Sequence, residues 1–202
     1  MPDPACPLIV LHSASYVLKR RELQRLVGEL LPPEGLEYSL EQYWAGEDKP
    51  EVIAAAIPSA SLLAEERVVV VHELQAVGAK DQRLLIRPLQ NTPPGTTVII
   101  TTAPKSERDK KKPPLAAELL KLAQKVGEVR QLAEPGDRQI AGWVAQEVAG
   151  YDKQIDRAAV EALVNTTGSD VDRLANEIAK LAVYVGTAPL ITIADVRAAA
   201  SA

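Results

Sequence analysis

The chain has 202 residues, 47% of them hydrophobic and 25% charged, which is ordinary globular material with enough length for one sizeable core or two small domains. A formal net charge of −4 argues against coating nucleic acid through bulk charge, so any contact with DNA should be local. Cys6 is the single cysteine, which excludes an intrachain disulfide or a cysteine-rich zinc site. The apolar runs are too short to span a bilayer and the start MPDPACPLIVLHS lacks the basic opening of a signal peptide, so a cytoplasmic protein is expected.

Leu8 to Leu11 predict a short apolar strand, followed by the loop His12-Ser13-Ala14-Ser15. A helix is predicted over 16–31, with Val17, Leu23, Leu26, Val27 and Leu30 on one apolar side, and Pro32 and Pro33 end it. Residues 36–40 read as a second strand, and 50–57 as a short helix opened by Pro50 and closed by Pro58-Ser59. The stretch from Ser61 to Leu74, SLLAEERVVVVHEL, is the centre of the chain. Arg67 opens a run of four valines, Val68 to Val71, whose lack of polar alternation suits a strand covered on both faces. His72 and Glu73 then fall at its C-terminal edge, where open α/β sheets place ligands. A helix over 81–89, a turn at Asn91–Gly95, a strand over 97–101, a helix over 115–126 and a strand over 128–132 follow. This alternation implies a largely parallel sheet with right-handed crossovers.

After Glu134-Pro135-Gly136 the periodicity changes, and from Asp137 onward only helices are expected. One carries Ile140, Val144 and Val148, and another carries Val160, Leu163 and Val164. A third has Val171, Leu174, Ile178, Leu181 and Val185 in one stripe, with Ser169 or Asp170 as its cap and Gly186 at its end. A final short helix over 193–199 takes Thr192 as its N-cap. The domains are therefore drawn as 1–134, α/β, and 135–202, a small all-helical unit.

Each candidate chemistry has a bland competitor. A phosphate-cradling P-loop belongs between the first strand and helix, but His12–Ser15 contains no glycine and GxxxxGK[ST] occurs nowhere, so the backbone cannot approach phosphates in the usual way. Ser13 and Ser15, with His72 and Glu73, are therefore expected to form at most a degenerate nucleotide site. At the end of the third strand His72 occupies the place of the carboxylate that an NTPase would use toward magnesium. Lys19 and Arg20 read as the solvated face of the first helix. His12 and His72 follow parallel strands and lack partners at metal-ligand spacing, no GxSxG turn exists, and the acidic residues are scattered. No catalysis, cofactor or metal is expected. KSERDKKK, with Lys105, Arg108, Lys110, Lys111 and Lys112, reads first as a solvated loop and second as a salt-dependent phosphate contact; no aromatic residues are interleaved for base stacking.

Five segments carry a resemblance: Tyr16-Val17 opening the first helix, SLLAEERVVVV at 61–71, TTVIITTAP at 96–104, GSDVDRLANEIAKLAVYVG at 168–186 and ITIADV at 191–196. Together they resemble the N-terminal two-thirds of the delta subunit of the bacterial DNA polymerase III clamp loader. The family is built as an AAA+ type (P-loop NTPase-like) sheet domain followed by a helical lid, without a working ATP site. The chain departs from it in lacking a glycine and an acidic residue near Ser13 and Ala14, and in carrying Leu62-Leu63 where the family usually has Leu-Phe. The resemblance implies a DNA replication protein that binds the ring-shaped beta sliding clamp through Leu62 and Leu63, with Ser61 beside them, and helps to open the ring. ATP would be hydrolysed by the gamma/tau partner subunits, with delta-prime in the same assembly and primed DNA reached through the complex. It implies no membrane partner. A third, helical collar domain of that family assembles the pentamer and would begin about where Ala202 ends the sequence. A piece of a longer protein or a two-domain variant is therefore expected, keeping the clamp-binding element and losing much of the capacity to assemble. The competing view of Leu62 and Leu63 is that they cover the protein's own sheet. Adjacent side chains diverge on a helix and on a strand, which makes it awkward for both to face one core. An AAA+ type NTPase or scaffold with degenerate motifs stays open as the alternative function.

Overall fold

A computed structural model describes residues 7–34, 36–59, 65–105 and 113–199, in two compact units, Met1–Leu132 and Ala133–Ala202. The first unit is built on a five-stranded, wholly parallel sheet in the order β2-β3-β4-β1-β5. The strands are β1 (Leu8–His12), β2 (Leu40–Trp44), β3 (Arg67–His72), β4 (Thr96–Thr102) and β5 (Glu128–Gln131). The helices are α1 (Tyr16–Leu30), α2 (Leu36–Ser39), α3 (Pro50–Ala56), α4 (Ala79–Leu84), α5 (Ile86–Gln90) and α6 (Ala117–Val126).

Alternation along the strands divides the core in two. Leu8, Val10, Val69, Val71, Val98 and Ile100 pack among residues of α3, α5 and α6, whereas Ile9, Leu11, Val68, Val70 and Ile99 pack with Leu26 and Leu31 on the α1 side. All four valines of β3 are buried, which is why its sequence shows no polar alternation. α2 is a single turn and leaves β2 poorly covered. A groove of ≈ 490 Å³ remains there, with Leu23, Val27, Leu36 and Leu40 in its lining and Trp44 and His72 toward one end.

Two elements depart from the expectations. Residues 36–39 are helical, and the second strand starts only at Leu40, where Leu40, Gln42 and Trp44 alternate with Glu41 and Tyr43. The helix expected over 81–89 is two short ones, broken at Leu85. Pro88 has no N–H for the carbonyl of Leu84 and its ring crowds that carbonyl, so the chain tightens there instead, with Leu85 N donating to Gln82 O at 3.2 Å.

The second unit contains α7 (Asp137–Ala149), α8 (Arg157–Thr167), α9 (Val171–Tyr184) and α10 (Ile193–Ala199). Asp170 caps α9 by accepting from Arg173 N at 3.0 Å, and Gly186 follows the helix with φ of 56°. At α10 the cap is completed by Asp195, which accepts from Thr192 N at 2.8 Å. The unit is not entirely helical. β6 (Gln154–Ile155) pairs in parallel with β7 (Leu190–Ile191), two-residue strands too short for any periodicity to announce.

Candidate functional site

Ser13, Ser15, His72 and Glu73 all lie at the C-terminal edge of the sheet, but the polar groups there are turned toward one another. β1 and β4 end side by side, with His12 opposite Thr102, and the histidine ring is buried with its Nδ1 2.8 Å from Thr102 Oγ1. Ser13 N donates to Thr102 O at 3.2 Å. Ser13 Oγ donates to Leu132 O at 3.0 Å and accepts from Ser15 N at 3.2 Å. Ser15 Oγ then caps α1 by accepting from Leu18 N at 3.1 Å. The N–H groups of Ser13, Ser15 and Leu18 are thus all engaged within the chain, in the place where a phosphate-binding loop would present donors to an anion.

Lys19 corrects an expectation. Its side chain is not on a solvated face: it is only 6% exposed, and Nζ lies 2.5 Å from Glu73 Oε1. The signal was in the spacing, because position 19 precedes Leu23, Leu26 and Leu30 at steps of four, three and four, on the inward stripe of α1. Arg20 is exposed, with its guanidinium 6.0 Å above the Tyr16 ring. Glu73 adopts the left-handed conformation, φ 53° and ψ 47°, which costs a non-glycine residue about 1–2 kcal/mol. It is held there by three contacts: Lys19, Gln75 Nε2 on its other carboxylate oxygen, and a bond of 3.0 Å from its own N–H to Thr101 Oγ1. Gln75 Oε1 in turn accepts from Ala103 N at 3.0 Å, so the ends of β3 and β4 and the start of α1 are joined through side chains.

His72 is not a partner of His12, since β4 runs between their strands. It stacks on Trp44 with ring centroids 4.6 Å apart and 17° between planes, and Nε2 is 3.0 Å from Gln42 Oε1. Burial pushes its pKa below the ordinary value; Glu73 pulls the other way and Lys19 adds to the fall. Among the described residues no group of three or more His, Cys, Asp or Glu side chains is placed to hold a metal, and no helix is long and apolar enough to cross a membrane.

At the N-terminal edge of β3, Arg67 is the residue whose role the sequence did not disclose. Its guanidinium is buried, forked onto both carboxylate oxygens of Glu41 at 2.8 Å each, and bonded to backbone carbonyls at the end of α3. Hydrogen bonding from Arg67 holds the Glu41 carboxyl below the usual carboxylate range, against the opposing effect of burial. Ser61, Leu62 and Leu63 lie outside the described residues, as do Arg108, Lys110, Lys111 and Lys112. Lys105 is described and exposed.

Solved structures share this architecture. The DNA clamp loader delta protein of Bacillus subtilis, YqeN, matches at a TM-score of 0.58 and 20% identity, over 95% of this chain and 57% of its own. RuvB of Thermotoga maritima, a Holliday junction branch migration motor, matches at 0.65 and 15% identity, over 98% of this chain and 62% of its own. The fold is that of AAA+ proteins. A single-residue variant of the same RuvB gives an AAA+ match at 0.68 and 14% identity. The chain spans 57% to 62% of the length of these AAA+ proteins. No protein-family model and no curated protein matches it.

Proposed function

We propose that this AAA+ chain is a non-catalytic clamp-loader component of the delta type, which grips a ring-shaped sliding clamp through Leu62 and Leu63 and favours the open ring. The observation that carries the reading is the self-satisfied loop between β1 and α1: Ser13 Oγ takes the N–H of Ser15, the N–H of Ser13 goes to Thr102, and Lys19 is committed to Glu73. Such a loop offers a polyphosphate no glycine-lined approach, and the N–H groups of Ser13, Ser15 and Leu18 are already engaged. The likeness to a clamp-loader delta protein supports the reading further. Ring opening then needs no hydrolysis in this chain, because a protein that binds the open ring more tightly than the closed one shifts the equilibrium by that difference. ATPase partner subunits of the gamma/tau type, delta-prime and primed DNA belong to the same proposal, and Lys105 with the basic residues after it would contribute any phosphate contact.

The test is calorimetric titration of the cognate sliding clamp with wild type and with Leu62→Ala/Leu63→Ala, each checked for folding by circular dichroism. Wild type should bind, and the folded double variant should lose at least tenfold in affinity, given roughly 1.5–3 kcal/mol for each aliphatic side chain transferred from water to a pocket. A folded wild type that does not bind the clamp overturns the proposal.

The higher TM-scores of RuvB favour a second reading, a nucleotide-driven motor. Titration with a fluorescent ATP analogue and magnesium separates the two. Saturable, magnesium-dependent binding would sink the non-catalytic reading.

A further inference from the structure

We propose that the groove between α1 and β2 seats an amphipathic helix of another protein, about four turns long, whose apolar stripe fills the groove and whose acidic flank meets Arg20.

Parallel sheets are covered on both faces, because each strand has two apolar sides to remove from water. In this sheet β1, β3 and β4 are buried along almost their whole length. On the α1 side of β2, among the described residues, the single turn of α2 adds only Leu36 to the cluster. Gln42 and Trp44, which line the groove on that side, are left exposed, Trp44 by 44%. The space above them, ≈ 490 Å³, is where a further helix of the layer would lie.

The wall that α1 presents has the form such a helix needs. α1 is 15 residues long and lines the groove with two neighbouring rows at a spacing of four: Lys19, Leu23 and Val27 on the inner row, and every fourth residue from Tyr16 to Gly28 on the outer. The furrow between two such rows takes the ridge of a second helix. It follows α1 for about 20 Å, a span that four helical turns match. Toward its far end Gly28 keeps the wall low, since a Cβ there would meet nothing within 4 Å.

The other end carries the anchors. Tyr16 on α1, 63% exposed, and Trp44 on β2 line opposite walls, and Arg20 stands over the Tyr16 ring. Trp, Tyr and Arg are the residue types that dominate binding energy at protein interfaces. The charge at this end is positive. Lys19 and Glu73 are paired with each other, and burial against Trp44 favours neutral His72, so Arg20 carries the charge that remains. An acidic residue on the incoming helix complements it.

The experiment is selection, on the full chain, of displayed helical peptides of about four turns, randomised along one face and its flanks, followed by anisotropy titration of the enriched peptides. Enriched sequences should carry apolar residues at steps of three and four, with Asp or Glu beside the end that meets Arg20. Gly28→Trp, which adds an indole to the furrow wall, and Trp44→Ala should each weaken binding by at least about tenfold. Arg20→Glu should weaken it severalfold, and a peptide with Lys in place of its acid should regain affinity for that variant. Gly142→Trp puts the same bulk on an exposed helical glycine of the second unit, where a Cβ also meets nothing within 4 Å, and should bind as wild type does. Circular dichroism checks the fold of each variant. Selection that enriches no helical pattern overturns the proposal, as do peptides that bind Gly28→Trp as tightly as wild type or lose equally with Gly142→Trp. A wild type that sediments as a dimer, and that Gly28→Trp converts to monomer, overturns it in favour of a second copy on this face. Should Gly28→Trp and Trp44→Ala unfold, the charge exchange at exposed Arg20 decides, and no gain by the Lys peptide overturns the proposal.

Discussion

At the C-terminal edge of the sheet the loop between β1 and α1 directs its hydrogen bonds inward, whereas at the N-terminal edge of β3 one guanidinium gathers acceptors from β2, from the end of α3 and from the residues after it. Both edges belong to the same layers and bury comparable polar chemistry. The first joins the loop to the ends of β4 and β5. The second joins β2, the end of α3 and the start of β3. The same parallel sheet thus has the donors of its β1–α1 loop engaged internally at one edge and a buried guanidinium joining three elements at the other.

Breaking the second edge should have the largest effect. Arg67→Met leaves Glu41 and three carbonyls without their donor; removing one partner of a buried pair costs about 3–5 kcal/mol, and the low end applies because the Glu41 side chain is 39% exposed and water can replace part of the loss. Urea unfolding at neutral pH should therefore show a loss of about 3 kcal/mol with an unchanged m-value. The contact also carries its own acid limit. The Glu41 carboxyl titrates below its ordinary value when folded, so its contribution is present above the unfolded pKa and is lost as pH falls through the folded one. Gly95→Ala should follow at about 2 kcal/mol. Its φ of 77° is strained for any side chain and the new methyl would meet Glu65 O, so the turn must shift.

The first edge should respond asymmetrically. Glu73→Gln leaves the ammonium of Lys19 buried without its counter-charge and should cost about 1–3 kcal/mol. Lys19→Met leaves Glu73, whose side chain is 37% exposed and can be hydrated, and should cost under about 1 kcal/mol. Equal losses in urea unfolding would mean that the pair is better shielded from water than its exposure suggests, and that the closure of this edge depends on it.

The sheet was legible because periodicity reports burial: the unbroken valines of β3 and the stripe of α9 each predicted an element that is there. What escaped was decided by single polar atoms. Lys19 stands on the inward stripe of its helix, yet a cation at such a position looks solvated until a carboxylate on another strand is known to face it. Arg67 announced only the start of the valine run, and the fold brings Glu41 and the end of α3 to it. Ser13 marked a loop without glycine, but that its hydroxyl takes the N–H of Ser15 follows from loop geometry, which no spacing encodes. The bridge between β6 and β7 is two residues long on each side, below the length at which alternation carries information.

The smallest effect sharpens the comparison by pH. His72 is half-buried against Trp44, and burial lowers its folded pKa below the ordinary 6.5. Between the two values the unfolded chain binds more protons than the folded one, so the stability contributed by neutral His72 is complete above the unfolded pKa and is lost as pH falls through the folded value. Urea midpoints followed from about pH 8 to about pH 5 should decline over that interval in wild type and flatten there in His72→Asn. The neighbouring pair sets the position of the decline. Glu73 raises the histidine's pKa and Lys19 lowers it, so Glu73→Gln should move the step toward acid and Lys19→Met toward neutrality. A step that ignores both substitutions would mean that burial against Trp44 alone governs this histidine, and that the closed edge is electrostatically separate from the aromatic wall beside it.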